Sequence, residues 1–140
     1  MADVRWRAFL PALILAPLIP AALGAAVLYL AYLGDAEAFA PLFFVAAAAV
    51  YGVMLGAPTY LVFGGIAFWL AARRAMRGGY AVMAFLANLA SAPAVLVFFL
   101  VFSSGDAFGI TALIIGFGSL FAPIWGGIFG ALYRRFGGMA

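Results

Sequence analysis

Few side chains in this chain could carry chemistry, and those inside its apolar stretches are uncharged. Asn88 and Ser91, together with Ala84, fall on one helical face at spacings of four and three residues. An amide surrounded by lipid forms a hydrogen bond to a neighbouring helix, which contributes about 0.5–2 kcal/mol. The pattern predicts an intramembrane polar contact that joins helices. A contact with a substrate is the alternative.

The acidic residues outside the N-terminal segment lie in two short loops. Asp35 and Glu37 belong to the first loop and Asp106 to the second. Carboxylates that meet in space can coordinate a cation. Short outer loops of membrane proteins lack positive charge, however, and their carboxylates are ordinarily solvated. We therefore predict no metal site.

All seven basic residues are arginines, and they lie in three short clusters beside apolar runs. Arginines at such positions set the topology of a membrane protein. They can also bind anionic lipid headgroups, at about 1 kcal/mol per residue. Nucleic-acid binding is not expected, because no basic face or recognition module is present. The two later clusters, which we predict to serve topology and lipid contact, are Arg73, Arg74, Arg77, Arg134 and Arg135.

The residue types that are missing exclude whole classes of activity. The chain has no cysteine and no histidine, which excludes disulfides, thiol chemistry and histidine-ligated haem. No charged residue lies within an apolar run away from its ends, whereas ion-coupled transporters and proton relays place such groups there. Acid–base and nucleophilic catalysis also need a titratable partner. We predict no enzyme activity, no catalytic residue and no cofactor.

The elements that must position these residues are membrane helices. Apolar residues make up 70% of the 140 and charged residues 8%, with a mean hydropathy of +1.27. A span of the bilayer core needs about 20 residues of helix, and four runs are long enough. The sequence predicts an all-α bundle of four transmembrane helices in one domain, 1–140. The predicted spans are 9–33, 40–72, 80–102 and 108–133, of which the second exceeds a simple crossing.

The arginines also predict the orientation. Four crossings leave the N-terminus, the middle loop and the C-terminus on one side, and these segments contain every arginine. The positive-inside rule then places both termini in the cytoplasm. The alternative, a cleaved signal peptide, conflicts with the length of the first run. High alanine, glycine and arginine content is compatible with a GC-rich bacterium, and we predict a multi-pass protein of the bacterial inner membrane.

Small residues recur at helical spacing in two of the runs. Such stripes let helix backbones approach closely and associate by van der Waals packing. They can pack the helices of this chain together, or form an interface with a partner or a second copy. The predicted packing positions are Gly52, Gly56 and Gly64 in the second run, and Gly118, Ala122, Gly126 and Gly130 in the fourth.

The two halves of the chain show a similarity that fits an internal repeat. Gly34-Asp35-Ala36 recurs as Gly105-Asp106-Ala107, and Gly64-Gly65-Ile66 recurs as Gly126-Gly127-Ile128. Two parallel helical hairpins are one interpretation. Chance is the other, because glycine and alanine are so common here.

These observations favour a non-enzymatic membrane protein that acts through helix–helix contacts, as an accessory or assembly subunit of a larger membrane complex. Its partners would be the bilayer, including anionic lipids, and other membrane subunits or itself. A small oligomeric channel or carrier, with a pore lined by backbone carbonyls, is the alternative. A lipid-organising protein is a third hypothesis.

Overall fold

The computed structural model describes residues 4–34, 36–74, 76, 79–103 and 105–137, and only the backbone of 36–40. Every regular element in these ranges is helical, which confirms the predicted all-α class. Apolar segments in lipid must satisfy their backbone hydrogen bonds internally, and a helix does so within one segment. The elements are α1 (Trp6–Leu33), α2 (Ala36–Thr59), a π-helical turn (Tyr60–Gly64), α3 (Gly65–Arg73), α4 (Tyr80–Phe102) and α5 (Ala107–Arg135).

Within the described ranges, four helical stretches are long and apolar enough to cross a membrane. They are Trp6–Leu33, Pro41–Arg73, Tyr80–Phe102 and Ala107–Arg135. The third stretch coincides with the predicted span 80–102. The first begins three residues before the predicted span 9–33, and the fourth begins one residue before the predicted span 108–133 and ends two residues after it. The architecture is that of a helical, multi-pass membrane protein.

The second stretch is one continuous helix with an irregularity in its middle. Pro58 has no N–H to donate to the preceding turn, and a π-helical turn begins two residues later, where the Gly65 N–H donates to the Tyr60 carbonyl. A π turn widens the helix and often accompanies a functional site. The helix is therefore locally wider at Tyr60–Gly64.

Short connections join consecutive helices. Gly79 precedes α4 with a φ of +82°, a left-handed conformation that glycine adopts without strain. Asp106 caps α5, because its side chain accepts a hydrogen bond of 2.9 Å from the Gly109 N–H.

The guanidinium of Arg5 donates to the carbonyl of Gly137, so these two residues lie at the same end of the bundle.

Helix α5 lies at the centre of the packing. It contacts α1, α2 and α4, while α1 packs mainly on α2. The α1–α2 pair is close at Gly24, where a Cβ would lie 2.6 Å from the carbonyl oxygen of Ala46. The buried core is concentrated toward the arginine-bearing half, where α1, α3, α4 and α5 meet.

Candidate functional site

The glycine stripe of α5 faces α4. A Cβ on Gly126 would collide with the backbone carbonyl of Tyr80 and lie 2.8 Å from the Ala84 Cβ. At Gly130, a Cβ would lie 2.9 Å from the Tyr80 ring. Ala122, between them and Gly118, is 1% exposed. At Gly126 the two antiparallel backbones therefore approach so closely that no side chain fits between them, and the stripe glycines on either side make room for side chains of α4.

Asn88 lies at the end of this contact that is farther from the arginines, against Gly118. Its Nδ2 donates to the Ile115 carbonyl at 3.0 Å and to the Ser119 Oγ at 3.2 Å. Its Oδ1 occupies the space that a Cβ on Gly118 would take. Asn88, the only carboxamide in the sequence of the spans, therefore joins α4 to α5. Its side chain fits in the space beside Gly118 and forms a hydrogen bond with Ser119.

Ser91 behaves differently from Asn88. It is fully buried, and its Oγ donates at 2.6 Å to the Asn88 carbonyl of its own helix. Ser119 supplies the cross-helix hydroxyl instead, and itself donates at 2.7 Å to the Ile115 carbonyl. Sequence reasoning missed Ser119, although a hydroxyl directly after a stripe glycine was the available signal.

The glycines of the second run face aromatic rings of α5. A Cβ on Gly52 would lie 2.8 Å from the ring of Phe121, and one on Gly56 would lie 3.1 Å from the ring of Trp125. Gly52 and Gly56 are about one turn apart on α2, and Phe121 and Trp125 are about one turn apart on α5, so each glycine lies opposite one ring. These glycines make room for rings rather than for a neighbouring backbone.

Gly64 lies apart from this pattern. It is buried, but the nearest atoms to a Cβ there would all belong to Tyr60, four residues earlier, at 3.2 Å and beyond. The π-helical turn adds a residue to the helical turn and so rotates the helix beyond it. The positions matched by the supposed repeat thus have different surroundings: Gly126 faces α4, whereas its counterpart Gly64 faces its own segment. The repeat stays a prediction.

An aromatic cluster fills the centre of the bundle, and sequence reasoning missed it. Phe68 of α3 stacks on Phe129 of α5 at 4.4 Å between ring centroids, with 17° between the ring planes. Tyr60 meets Trp125 edge to face at 5.2 Å. Such pairs contribute about 0.5–1.5 kcal/mol beyond their burial. The aromatic cluster consists of Phe9, Tyr60, Phe68, Tyr80, Phe121, Trp125, Phe129 and Tyr133.

Two buried polar atoms of the described residues have no hydrogen-bond partner: the Thr111 Oγ1 and the Trp125 Nε1. Trp125 is 0% exposed and is enclosed by rings. An unpartnered donor in an apolar interior costs free energy. The packing of the Trp125 indole against its neighbouring rings therefore contributes more to stability than its unpaired N–H costs.

The arginines lie at helix ends. The Arg73 guanidinium stands over the Trp69 ring, 4.7 Å from its centroid, in the geometry of a cation–π contact. Arg74 follows the end of α3, and Arg134 and Arg135 form the last turn of α5. Arg77 lies outside the described residues.

Asp106 is the one acidic side chain that the structure describes, and it serves as the α5 cap. Asp35 and the side chain of Glu37 lie outside the described part of the chain. Among the described side chains, no group of three metal-ligating residues occurs.

An apolar groove opens beside the π-helical turn. It has a volume of about 560 Å³ and lies between α2, the π turn and α4, with one residue of α5. Thr59 lies in it, but its hydroxyl already donates at 2.9 Å to the Gly56 carbonyl. The groove (the α2–α4 groove) is lined by Met54, Leu55, Pro58, Thr59, Val62, Phe63, Ala94, Val95, Phe98, Phe99 and Ile114.

Comparison with protein-family models, with curated proteins and with solved structures gives no match. The arrangement itself must indicate the function. Asn88 joins α4 to α5 through Ile115 and Ser119, and the described spans contain charged side chains only in their terminal turns. This geometry suits holding helices together.

Proposed function

We propose that this protein is a non-enzymatic integral membrane protein that acts through helix–helix contacts, as an accessory or assembly subunit of a larger membrane complex. The observation that carries the proposal is the filling of the interior. Trp125 and Phe129 are 0% exposed at the centre of the bundle, and Asn88 is engaged by α5. The outer surface is therefore the part that remains for function.

The glycine stripes are used within the chain, so a partner would contact another surface. The α2–α4 groove fits a transmembrane helix of another subunit. It borders the middle of the second stretch, from Met54 to Phe63, rather than a membrane-water boundary. Its walls are apolar, and the one hydroxyl at Thr59 is already paired. An apolar helix with a protruding side chain would gain van der Waals contact there.

The proposal includes a bacterial inner membrane with both termini in the cytoplasm. Its support is the restriction of arginine to the N-terminal segment, the middle loop and the C-terminal segment. The contact between Arg5 and Gly137 is consistent with the two ends sharing a side.

Site-specific crosslinking tests the docking surface. The chain has no cysteine, so single cysteines at Met54 and Phe98 in the groove, and at Leu23 on α1 as a control, can carry a short photocrosslinker. We expect adducts with one foreign membrane chain from the two groove positions only. Native mass after gentle extraction should then show that chain in fixed stoichiometry.

Filling the groove provides the matched comparison. Ala94→Trp places an indole in the groove, whereas Ala90→Trp places one on the exposed surface of the same helix. We expect the first to abolish the adduct and the second to preserve it. A monomer in native mass, or adducts that survive Ala94→Trp, would contradict the proposal. A closed homo-oligomer with solute flux in liposomes would establish the channel alternative instead.

A further inference from the structure

A second groove lies at the arginine-bearing end, between α1 and the stretch from the π turn through α3. Its volume is about 300 Å³. Trp6, Leu10 and Leu13 line it on α1, and Ile66 and Trp69 line the facing wall. Ile66 and Leu10 are about half exposed, so the groove is open to the side. We call it the α1–α3 groove.

The length of this groove matches one leaflet rather than the whole bilayer. It extends over eight residues of α1, from Trp6 to Leu13, and over nine residues of the facing wall, from Trp69 to Leu61. At about 1.5 Å per residue this is about 12 Å, whereas each leaflet contributes about 15 Å of hydrocarbon. Unlike the α2–α4 groove, which borders the middle of the second stretch, this groove lies at one end of the bundle, within one leaflet. A single acyl chain needs only this one.

Its tryptophans place one end of the groove at the level of lipid headgroups. Tryptophan prefers the membrane interface, where its ring is apolar and its N–H is wet. Trp6 and Trp69 both lie at the arginine-bearing end, and the apolar side chains Leu13 and Val62 lie at the other. The groove thus runs from the interface into the hydrocarbon.

A positive charge stands at the headgroup end. Arg73 follows Trp69 by four residues and so continues the same helix face, and its guanidinium is held over that indole at 4.7 Å. Arg7 follows Trp6 in the first turn of α1, at the same end of the bundle. The one acidic side chain that the structure describes, Asp106, begins α5 at the other end of the bundle.

We propose that the α1–α3 groove binds one anionic phospholipid. The acyl chain lies along the apolar walls, and the phosphate faces the Arg73 guanidinium, which offers planar, charge-assisted hydrogen bonds. The site depends on the chain being embedded in a membrane but not on a partner subunit, so it can be tested on the purified protein. A failure here leaves the proposed docking function untouched.

Lipid retention measures the site directly. The full chain is reconstituted in vesicles of equal parts phosphatidylglycerol and phosphatidylcholine, extracted in mild detergent and examined by native mass spectrometry. We expect one phosphatidylglycerol retained in preference to phosphatidylcholine. Arg73→Gln should lower that preference about fivefold, as expected for the loss of one cation beside a headgroup. Arg73→Lys, which keeps the charge, should retain most of it.

Two controls separate the groove from general surface charge. Arg135→Gln removes an equal charge from the same end, on α5 and away from the groove, and should lower the preference much less than Arg73→Gln does. Ile66→Trp fills the groove and should abolish retention, whereas Leu70→Trp, outside the groove on the same helix, should not. Circular dichroism and thermal melting confirm that each variant is folded. Equal retention of both lipids by the wild type, or an Arg135→Gln effect as large as that of Arg73→Gln, would overturn the proposal.

Discussion

Gly126 of α5 lies directly against the backbone of Tyr80 at the start of α4. A methyl group on Gly126 would lie 2.8 Å from the Tyr80 carbonyl carbon and 2.8 Å from the Ala84 Cβ. Backbone atoms cannot move aside as the end of a flexible side chain can. The close packing of α4 on α5 therefore requires glycine at position 126.

Gly126→Ala should lower stability by about 1–3 kcal/mol, the cost of overpacking a close contact, and Gly126→Leu should weaken folding or assembly further. Gly127→Ala is the matched control, because a Cβ there would meet nothing within 4 Å. It should be neutral or stabilising by up to about 1 kcal/mol, since alanine favours helix over glycine. Unfolding by SDS in mixed micelles measures both. Equal stability of Gly126→Ala and wild type would show that the stripe is not a packing surface.

Asn88→Ala should destabilise the bundle by about 0.5–2 kcal/mol, because the amide joins α4 to Ile115 and Ser119 of α5. A double-mutant cycle with Ser119→Ala isolates the amide–hydroxyl contact, and the double variant should lose less stability than the sum of the two single losses. Ser91→Ala provides the control: its hydroxyl bonds within its own helix, so we expect a smaller loss. Additive effects of Asn88→Ala and Ser119→Ala would refute the hydrogen bond between the Asn88 amide and the Ser119 hydroxyl.

Phe129→Ala should be among the most damaging single changes, at about 3 kcal/mol or more. Its ring stacks on Phe68 and also contacts Phe9 and Tyr80, so truncation leaves a cavity in the aromatic cluster. Phe108, 68% exposed at the beginning of α5, is the control, and Phe108→Ala or Phe108→Leu should have little effect. The midpoint of SDS-induced unfolding distinguishes the two. Similar midpoints for the Phe129 and Phe108 variants would contradict the buried role of the cluster.

The orientation can be measured with single cysteines, since the chain has none of its own. A membrane-impermeant maleimide added to intact cells should label Gly105→Cys and should not label Arg135→Cys. In inverted membrane vesicles the pattern should reverse. Labelling of Arg135→Cys in intact cells would show that the arginine side faces outward and that the positive-inside assignment is wrong.

Much of the candidate site followed from residue type and spacing. Glycines four residues apart share a helix face in any register, so the α5 stripe could be predicted before its neighbour was known. The same was true of Asn88, since an amide in hydrocarbon must find a partner. The identity of that partner, Ser119 with the Ile115 carbonyl, depended on how α4 and α5 are aligned along each other.

The sequence alone determined the all-helical class and the presence of four membrane-length helices. Both follow from local chemistry, because apolar residues prefer hydrocarbon and backbone groups in lipid must pair within a segment. Only the tertiary structure decided which helices pack together and which of the described phenylalanines are buried. Lipid and protein interior are equally apolar, so no difference in hydrophobicity marks Phe129 as buried and Phe108 as exposed. Whether a ring is buried depends instead on its fit against the glycines and rings of neighbouring helices. That fit is set only when the helices pack together.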